Sequence, residues 1–331
     1  MKTLITTLIT GLVALPALAM AKPVLTIYTY DSFASEWGPG PAIEKNFEAT
    51  CDCDLQFVAL DSSIGILGRV QLEGTSSKAD IVLGLDTNLM ATAAATGLFA
   101  PHGVSLAGRT ALPVGFDNSQ FVPFDWGHFA FVYDETRLSD VPASFDDLLN
   151  TPDDLRVVIQ DPRTATPGLG LLLWMKSVYG DEADAAWAKL APKIVTVTKG
   201  WWDSYSMFLE GEADMVLSYS TSPAYHIVVD GTDQYKAASF SDGHYMQIEV
   251  AAMLKSAPQP ELAAQFMDFI LDDGFQSVIP TTNWMYPAGN AALPDAFSGL
   301  IKPAKSLTFT PDEVADNKDA WVAEWQTAIS K

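Results

Sequence analysis

The sequence predicts a two-lobed α/β protein, each lobe a mixed sheet flanked by helices, joined by two crossover strands with a cleft between them. Short β-branched runs alternate with helical apolar patterns along most of the chain, the signature of parallel strands covered by helices. Two long aromatic runs, Phe121–Tyr133 and His244–Met253, interrupt that alternation and read as the strands that cross between lobes. With 331 residues the chain can bury a large core divided into two lobes.

Residues 1–21 stand apart from the fold. Lys2 precedes an apolar stretch from Leu4 to Leu18 and then Ala19-Met-Ala21, a small-x-small pattern that predicts an export signal cleaved after Ala21 or after Ala19. Gly11 and Pro16 interrupt the stretch, which is short for a membrane span. The first lobe is expected to comprise residues 22–126 and 246–331, and the second 127–245. In the first, Val24–Tyr30 alternates as a strand and Pro41–Phe47 starts a helix. Leu55–Leu60 is the next strand, and Asp61-Ser-Ser63 opens a helix with Ile64, Leu67, Val70 and Leu72 in its apolar pattern. Ala79–Gly84 is a third strand and Asn88–Leu98 a small-residue helix. In the second lobe, Ser144 starts a helix with acids in its first turn, and Val157–Ile159, Ile194–Thr198 and Asp214–Tyr219 read as strands. Pro260–Asp272 gives a helix with Leu262, Phe266, Phe269 and Ile270 on one face. Thr310-Pro-Asp-Glu313 is a capping box opening a last helix with Val314, Trp321 and Trp325.

A formal charge of −22 disfavours nucleic acid and anionic membrane surfaces, and favours approach of a cation. General solubility of an acidic exported protein explains it equally well. The only cysteines, Cys51 and Cys53, flank Asp52. In an oxidising compartment they pair with each other or with another molecule, and a local structural bridge is the simpler reading. Histidines 102, 128, 226 and 244 have no metal-ligand spacing.

The segment Asp161–Gly170 lies between a strand and a helical pattern. Thr166 reads as the N-cap and Pro167 as a first-turn residue, while Gly168 and Gly170 carry no side chain to hold a ligand off the backbone. The loop is expected to offer free N–H groups at the positive end of a helix, suited to an anionic or polar group, with a plain capped turn as the structural alternative. Asp61-Ser-Ser63, Thr164-Ala-Thr166 and Tyr219-Ser-Thr-Ser-Pro223 occupy comparable strand-end positions and supply hydroxyl and amide donors, with Arg163 their only cation. Tyr30, Trp37, Trp201-Trp202, Tyr225, Trp284 and Tyr286 fall in loops, where aromatics are less expected as core. Aromatic faces attract flat heterocycles and cations. A flat cationic ligand carrying a hydroxyl or phosphate uses both sets.

The segments Lys22–Phe33, Trp37-Gly-Pro-Gly40, Lys78–Asp86, Asp161–Leu173, Thr196–Trp201, Leu217–His226 and Asn283-Trp-Met-Tyr-Pro287 resemble the thiamine-binding proteins of periplasmic ABC transport systems, over nearly the whole mature chain. The resemblance implies the type II periplasmic binding fold, a periplasmic location, and capture of thiamine, thiamine monophosphate and thiamine diphosphate for delivery to an inner-membrane permease and its ATPase. It implies no cofactor, no catalysis and a monomer. By the same resemblance, phosphate-side contacts fall at Ser62, Ser63, Ala165, Thr166, Tyr219, Ser220, Thr221, Ser222 and Pro223. Aromatic contacts fall at Trp201, Tyr30, Trp37, Tyr225 and Trp284. Ser62-Ser63 replaces the family's Asp-Gly, Ala165 a Ser, and Trp202 a small polar residue.

Rival readings are a ferric-ion carrier, which wants two neighbouring tyrosinates whereas Tyr219 and Tyr225 are six apart and the aromatic loops would have no purpose, and a polyamine carrier, which also uses aromatics and carboxylates. An exported hydrolase would need a nucleophile and base, and His226 near Ser222 is the nearest pairing; no Gly-x-Ser-x-Gly or His-Glu-x-x-His motif is present.

Overall fold

The computed structural model describes residues 21–330, so the expected export signal lies outside the described residues except for its last residue. Eight strands form one path through the molecule: β1 (Val24–Tyr30), β2 (Asp54–Leu60), β3 (Ile81–Asp86), β4 (Phe121–Asp134), β5 (Val157–Gln160), β6 (Ile194–Thr198), β7 (Met215–Tyr219) and, after the short β8 (Tyr235–Ala237), β9 (His244–Met253). Their spatial order is β2-β1-β3-β9-β4-β7-β5-β6. The outer pairs β1–β2, β1–β3, β5–β6 and β5–β7 are parallel, as strand–helix–strand units require. Helices cover both faces, so β3 and β5 are buried at every residue.

The two expected crossing strands are the antiparallel centre of this sheet. From Phe121 to His128, β4 pairs with β9; from Phe129 to Tyr133 it pairs with β7. The exchange of partners carries the backbone from one lobe to the other without a loop. Cys51 and Cys53 are joined by a disulfide just before β2.

Three helices depart from the sequence reading. The helix Ser63–Glu73 buries Ile66, Leu67 and Val70, but Leu72 is 89% exposed. Two residues beyond Val70 is about 200° further round the helix, off the buried stripe. The expected helix Asn88–Leu98 is reduced to Met90–Ala95, because Asp86 takes the N–H groups of Asn88 and Leu89 into a turn. The last helix, Pro311–Ile329, has the expected capping box, with Thr310 and Glu313 exchanging bonds of 2.8 and 3.2 Å. This helix, expected in the first lobe, packs on helices Met90–Ala95 and Ala183–Leu190. Trp325 meets Trp187 edge-on at 6.4 Å, Lys176 pairs with Glu324 at 2.9 Å, and Trp321 rests on Phe309.

The helix Thr166–Tyr179 is buried at every position from Thr166 to Met175. A Cβ on Gly168 would lie 2.5 Å from the Gln160 carbonyl oxygen, and one on Gly170 2.0 Å from the Phe129 ring. Both glycines therefore admit protein and not ligand, which corrects the expected role.

Candidate functional site

A cavity of about 570 Å³ opens between the lobes. Its first-lobe wall holds Tyr30 at the end of β1, Trp37, Ser62 and Ser63 at a helix start, and Trp284. Facing them are Ala165 and Thr166, Trp201, and Tyr219, Thr221, Ser222 and Tyr225 beyond β7. Most of these residues come together because they end or follow a strand that points at the same gap, whereas Trp37 and Trp284 follow the short helices Asp31–Ala34 and Ile279–Thr282. Two expected site residues do not line it. Ser220 turns inward, 1% exposed, while its N–H donates to the His128 carbonyl at 2.8 Å. Pro223 is buried and starts the short helix that carries Tyr225.

Thr166 is not the helix cap. Ala165 holds that position with no side-chain bond, and the Thr166 hydroxyl spans the cleft to donate to Ser63 Oγ at 2.8 Å. The Thr164 and Ala165 N–H groups both donate to the Asp161 carbonyl, so the free first-turn donors are those of Thr166 and Gly168. Ser62 caps the opposing helix, its hydroxyl accepting from Gly65 N–H at 3.2 Å. The lobes also touch through Trp37 and Trp202 at 5.8 Å, Tyr225 and Trp284 perpendicular at 5.4 Å, and an ion pair from Lys199 to Asp61. These contacts define a closed cleft.

Trp201 stacks on Tyr205 at 5.0 Å while its indole N–H donates to Ser218 Oγ at 2.8 Å, fixing the ring plane against the cavity. Trp284 has φ 56°, the only non-glycine residue with positive φ among those described. Such a conformation costs about 1–3 kcal/mol and persists where its surroundings enforce it. Here Asn283 is tied by its amide to Asp125 at 2.6 Å and to Tyr30 at 3.0 Å.

The lining includes four carboxylates (Asp31, Asp61, Asp203 and Glu249) and no Lys, Arg or His. Tyr30 donates to Glu249 Oε2 at 2.8 Å. Burial pushes Asp125 up to about 7, while burial and then the charge of Asp125 hold Glu249 well above the carboxylate range. Glu249, Asp125, Asn283 and Tyr205 were missed from the sequence. The available signal was an acid inside each of the two long apolar strands.

The rival chemistries meet specific obstacles. Tyr219 donates to Gln247 at 3.1 Å and burial raises its hydroxyl, which opposes a tyrosinate ligand. His226 is bound on both nitrogens, by Tyr205 at 2.9 Å and Asp230 at 2.7 Å, and Ser222 pairs with Ser218. No base is therefore free beside Ser222.

The model of the bacterial extracellular solute-binding proteins matches residues 34–277. The chain belongs to that family. Among curated relatives, it is 57% identical over 311 residues to a thiamine-binding periplasmic protein of Escherichia coli (strain K12), covering 94% of this chain and 95% of the relative. A protein of the same description from Haemophilus influenzae (strain ATCC 51907 / DSM 11121 / KW20 / Rd) is 43% identical, with all of each chain covered. The solved structure of a periplasmic thiamin binding protein superposes with a TM-score of 0.92 at 56% identity, covering 97% of this chain and all of that one. A ferric binding protein from Campylobacter jejuni shares the fold, with a TM-score of 0.75 at 20% identity, 92% of this chain and 99% of that one being covered. Like other solute-binding proteins, this member has two lobes around a cleft, and among its described residues no helix is long and apolar enough to cross a membrane.

Proposed function

We propose that this protein captures thiamine and its phosphate esters in the periplasm and hands them to an inner-membrane ABC permease with its ATPase. The observation that carries the reading is the composition of the cleft: aromatic walls and uncharged hydroxyl and amide donors, with acids but no basic side chain. A planar cation with a polar tail uses each of these groups. The volume falls in the range of about 300–1,000 Å³ usual for small-molecule sites. The descriptions of the Escherichia coli and Haemophilus influenzae relatives support the choice of vitamin. The apolar segment after Lys2 supports export. The protein works as a monomer and carries out no chemistry on its ligand.

Ligand docks on one lobe, the other closes over it, and β4 and β9 flex to permit the movement. The closed form is the one the permease recognises. Calorimetry with thiamine, spermidine and ferric citrate tests the reading: thiamine binds at micromolar concentration or below and the others do not. Tight spermidine binding without thiamine binding overturns it. Competition among thiamine, its monophosphate and its diphosphate gives their order, and release of phosphate from the monophosphate by pure protein would restore the hydrolase reading.

A further inference from the structure

Three carboxyl groups lie abreast on the central strands. Asp86 on β3 and Asp125 on β4 each stand directly opposite Glu249 on β9. Residues paired in this way share a face with Cβ atoms about 4.5–5.5 Å apart, and like charges so placed repel. No ion pair relieves them. Asp86 is satisfied locally, by the N–H groups of Asn88 and Leu89 and the Asn88 amide. The other two are not. Asp125 is fully buried, its Oδ2 accepting from the Asn283 amide and its Oδ1 reached by no N–H or hydroxyl, while Glu249 is 6% exposed, faces the cavity and lies within hydrogen-bond reach of Asp125, a contact that needs a proton on one of the two carboxyls. Tyr30 occupies Glu249 Oε2, and no N–H or O–H of the described residues reaches Oε1. A buried carboxylate left unpaired is costly, and the cavity wall supplies no positive charge to offset it.

We propose that Glu249, with Asp125 seated behind it, is the subsite that selects a positive charge in the ligand, the two carboxyls together carrying one negative charge when the cation is bound. The assignment rests on the vitamin reading above, in which that cation is the thiazolium ring. Asp125 acts through Glu249 and is a positioning residue. The titratable groups facing Glu249 are Tyr30 on β1, Asp86 on β3, Asp125 on β4 and Tyr219 on β7, none of which can supply a cation. With burial pushing Asp125 up to about 7 and holding Glu249 well above the usual carboxylate range, both carboxyls hold protons in the empty cleft at acid pH. Cation binding there sends one proton to solvent, so affinity rises with pH up to about 7 and then levels.

The test compares thiamine with its neutral isostere, in which a thiophene replaces the thiazolium ring. At pH 7.5 the wild-type protein prefers thiamine by about tenfold or more, a difference of about 1.4 kcal/mol. Glu249→Gln removes most of that preference. At pH 6 the wild-type binding enthalpy varies with the ionisation enthalpy of the buffer, in the direction of proton release. Asp125→Asn keeps the preference and moves the pH at which affinity levels, a change that a purely structural role would not produce. Equal wild-type affinity for the two ligands, an intact preference in Glu249→Gln, or no proton release at pH 6 overturns the proposal. The wild-type measurements stand even where a variant fails to fold. Wild-type protein that binds neither compound sinks the vitamin reading itself, an outcome distinct from binding both equally.

Discussion

Replacing Gly170 by alanine puts a methyl group where Phe129 already lies. The added Cβ would sit 2.0 Å from Cε2 and 2.4 Å from Cζ of that ring, against about 3.5–4.0 Å for a normal carbon contact. The ring must therefore retreat by about 1.5 Å on that measure. Phe129 is fully buried and tilted against Tyr219 at 5.1 Å, so it has no open space to enter. Overpacking costs typically about 1–3 kcal/mol, and so complete an overlap belongs at the upper end. Alanine recovers about 1 kcal/mol of helix propensity, leaving a net loss of about 2 kcal/mol. Urea unfolding followed by fluorescence measures the change. Gly68→Ala is the control, since that glycine is exposed on the helix Ser63–Glu73 with nothing within 4 Å of the new methyl. It should gain up to about 1 kcal/mol. Adding Phe129→Leu to Gly170→Ala should restore part of the loss. If Gly170→Ala is as stable as wild type while the control gains, close helix–strand packing is not what keeps glycine at 170. Because Tyr219 lines the cavity, the same variant is also expected to bind ligand more weakly.

Trp201→Ala is expected to weaken thiamine binding by about 1–3 kcal/mol, the scale of base–aromatic stacking, and Trp201→Phe by less. An unchanged dissociation constant in the alanine variant removes Trp201 from the site. Thr310→Ala removes the hydroxyl that accepts from the Glu313 N–H, leaves the bond from the Thr310 backbone N–H to the Glu313 carboxylate, and should cost about 1 kcal/mol in thermal or chemical unfolding, with Thr310→Ser close to wild type. Burial raises Asp86 to about 6 and Asp125 to about 7, above an unfolded value near 3.9. Between those limits the folded state binds more protons, so their contribution to stability is fully present below about pH 4 and is lost as pH rises through 6 to 7. Asp125→Asn should flatten the fall in unfolding free energy between about pH 4 and 7; a fall of unchanged slope shows that Asp125 does not titrate there.

The strands were legible because burial on both faces leaves runs such as Val157-Val-Ile159 little else to be. The capping box at Thr310 was legible because its bonds are local in sequence. Thr166 was misread for the opposite reason: its hydroxyl serves a residue 103 positions away, and local pattern favours the cap. Gly168 and Gly170 were read as space for a ligand, but what fills that space, Gln160 and Phe129, is set by packing. Leu72 looked like part of an apolar stripe until its angle round the helix was fixed. Ser220, Thr221 and Ser222 are three successive hydroxyl residues, and only the turn after β7 decides that the last two face the cleft and Ser220 does not. Glu249 and Asp125 were hidden inside strands whose apolar character dominated the reading, although an acid among such neighbours is itself uncommon.

The exchange of β4 from β9 to β7 has a mechanical consequence. A swivel formed from continuous sheet resists shear along the strands, because sliding would break a ladder on either side of His128 and Phe129. Twist and bend leave those ladders intact, so the halves are steered along a narrow arc. In the proposed opening and closing, each reopening would then present the same rim to the next ligand.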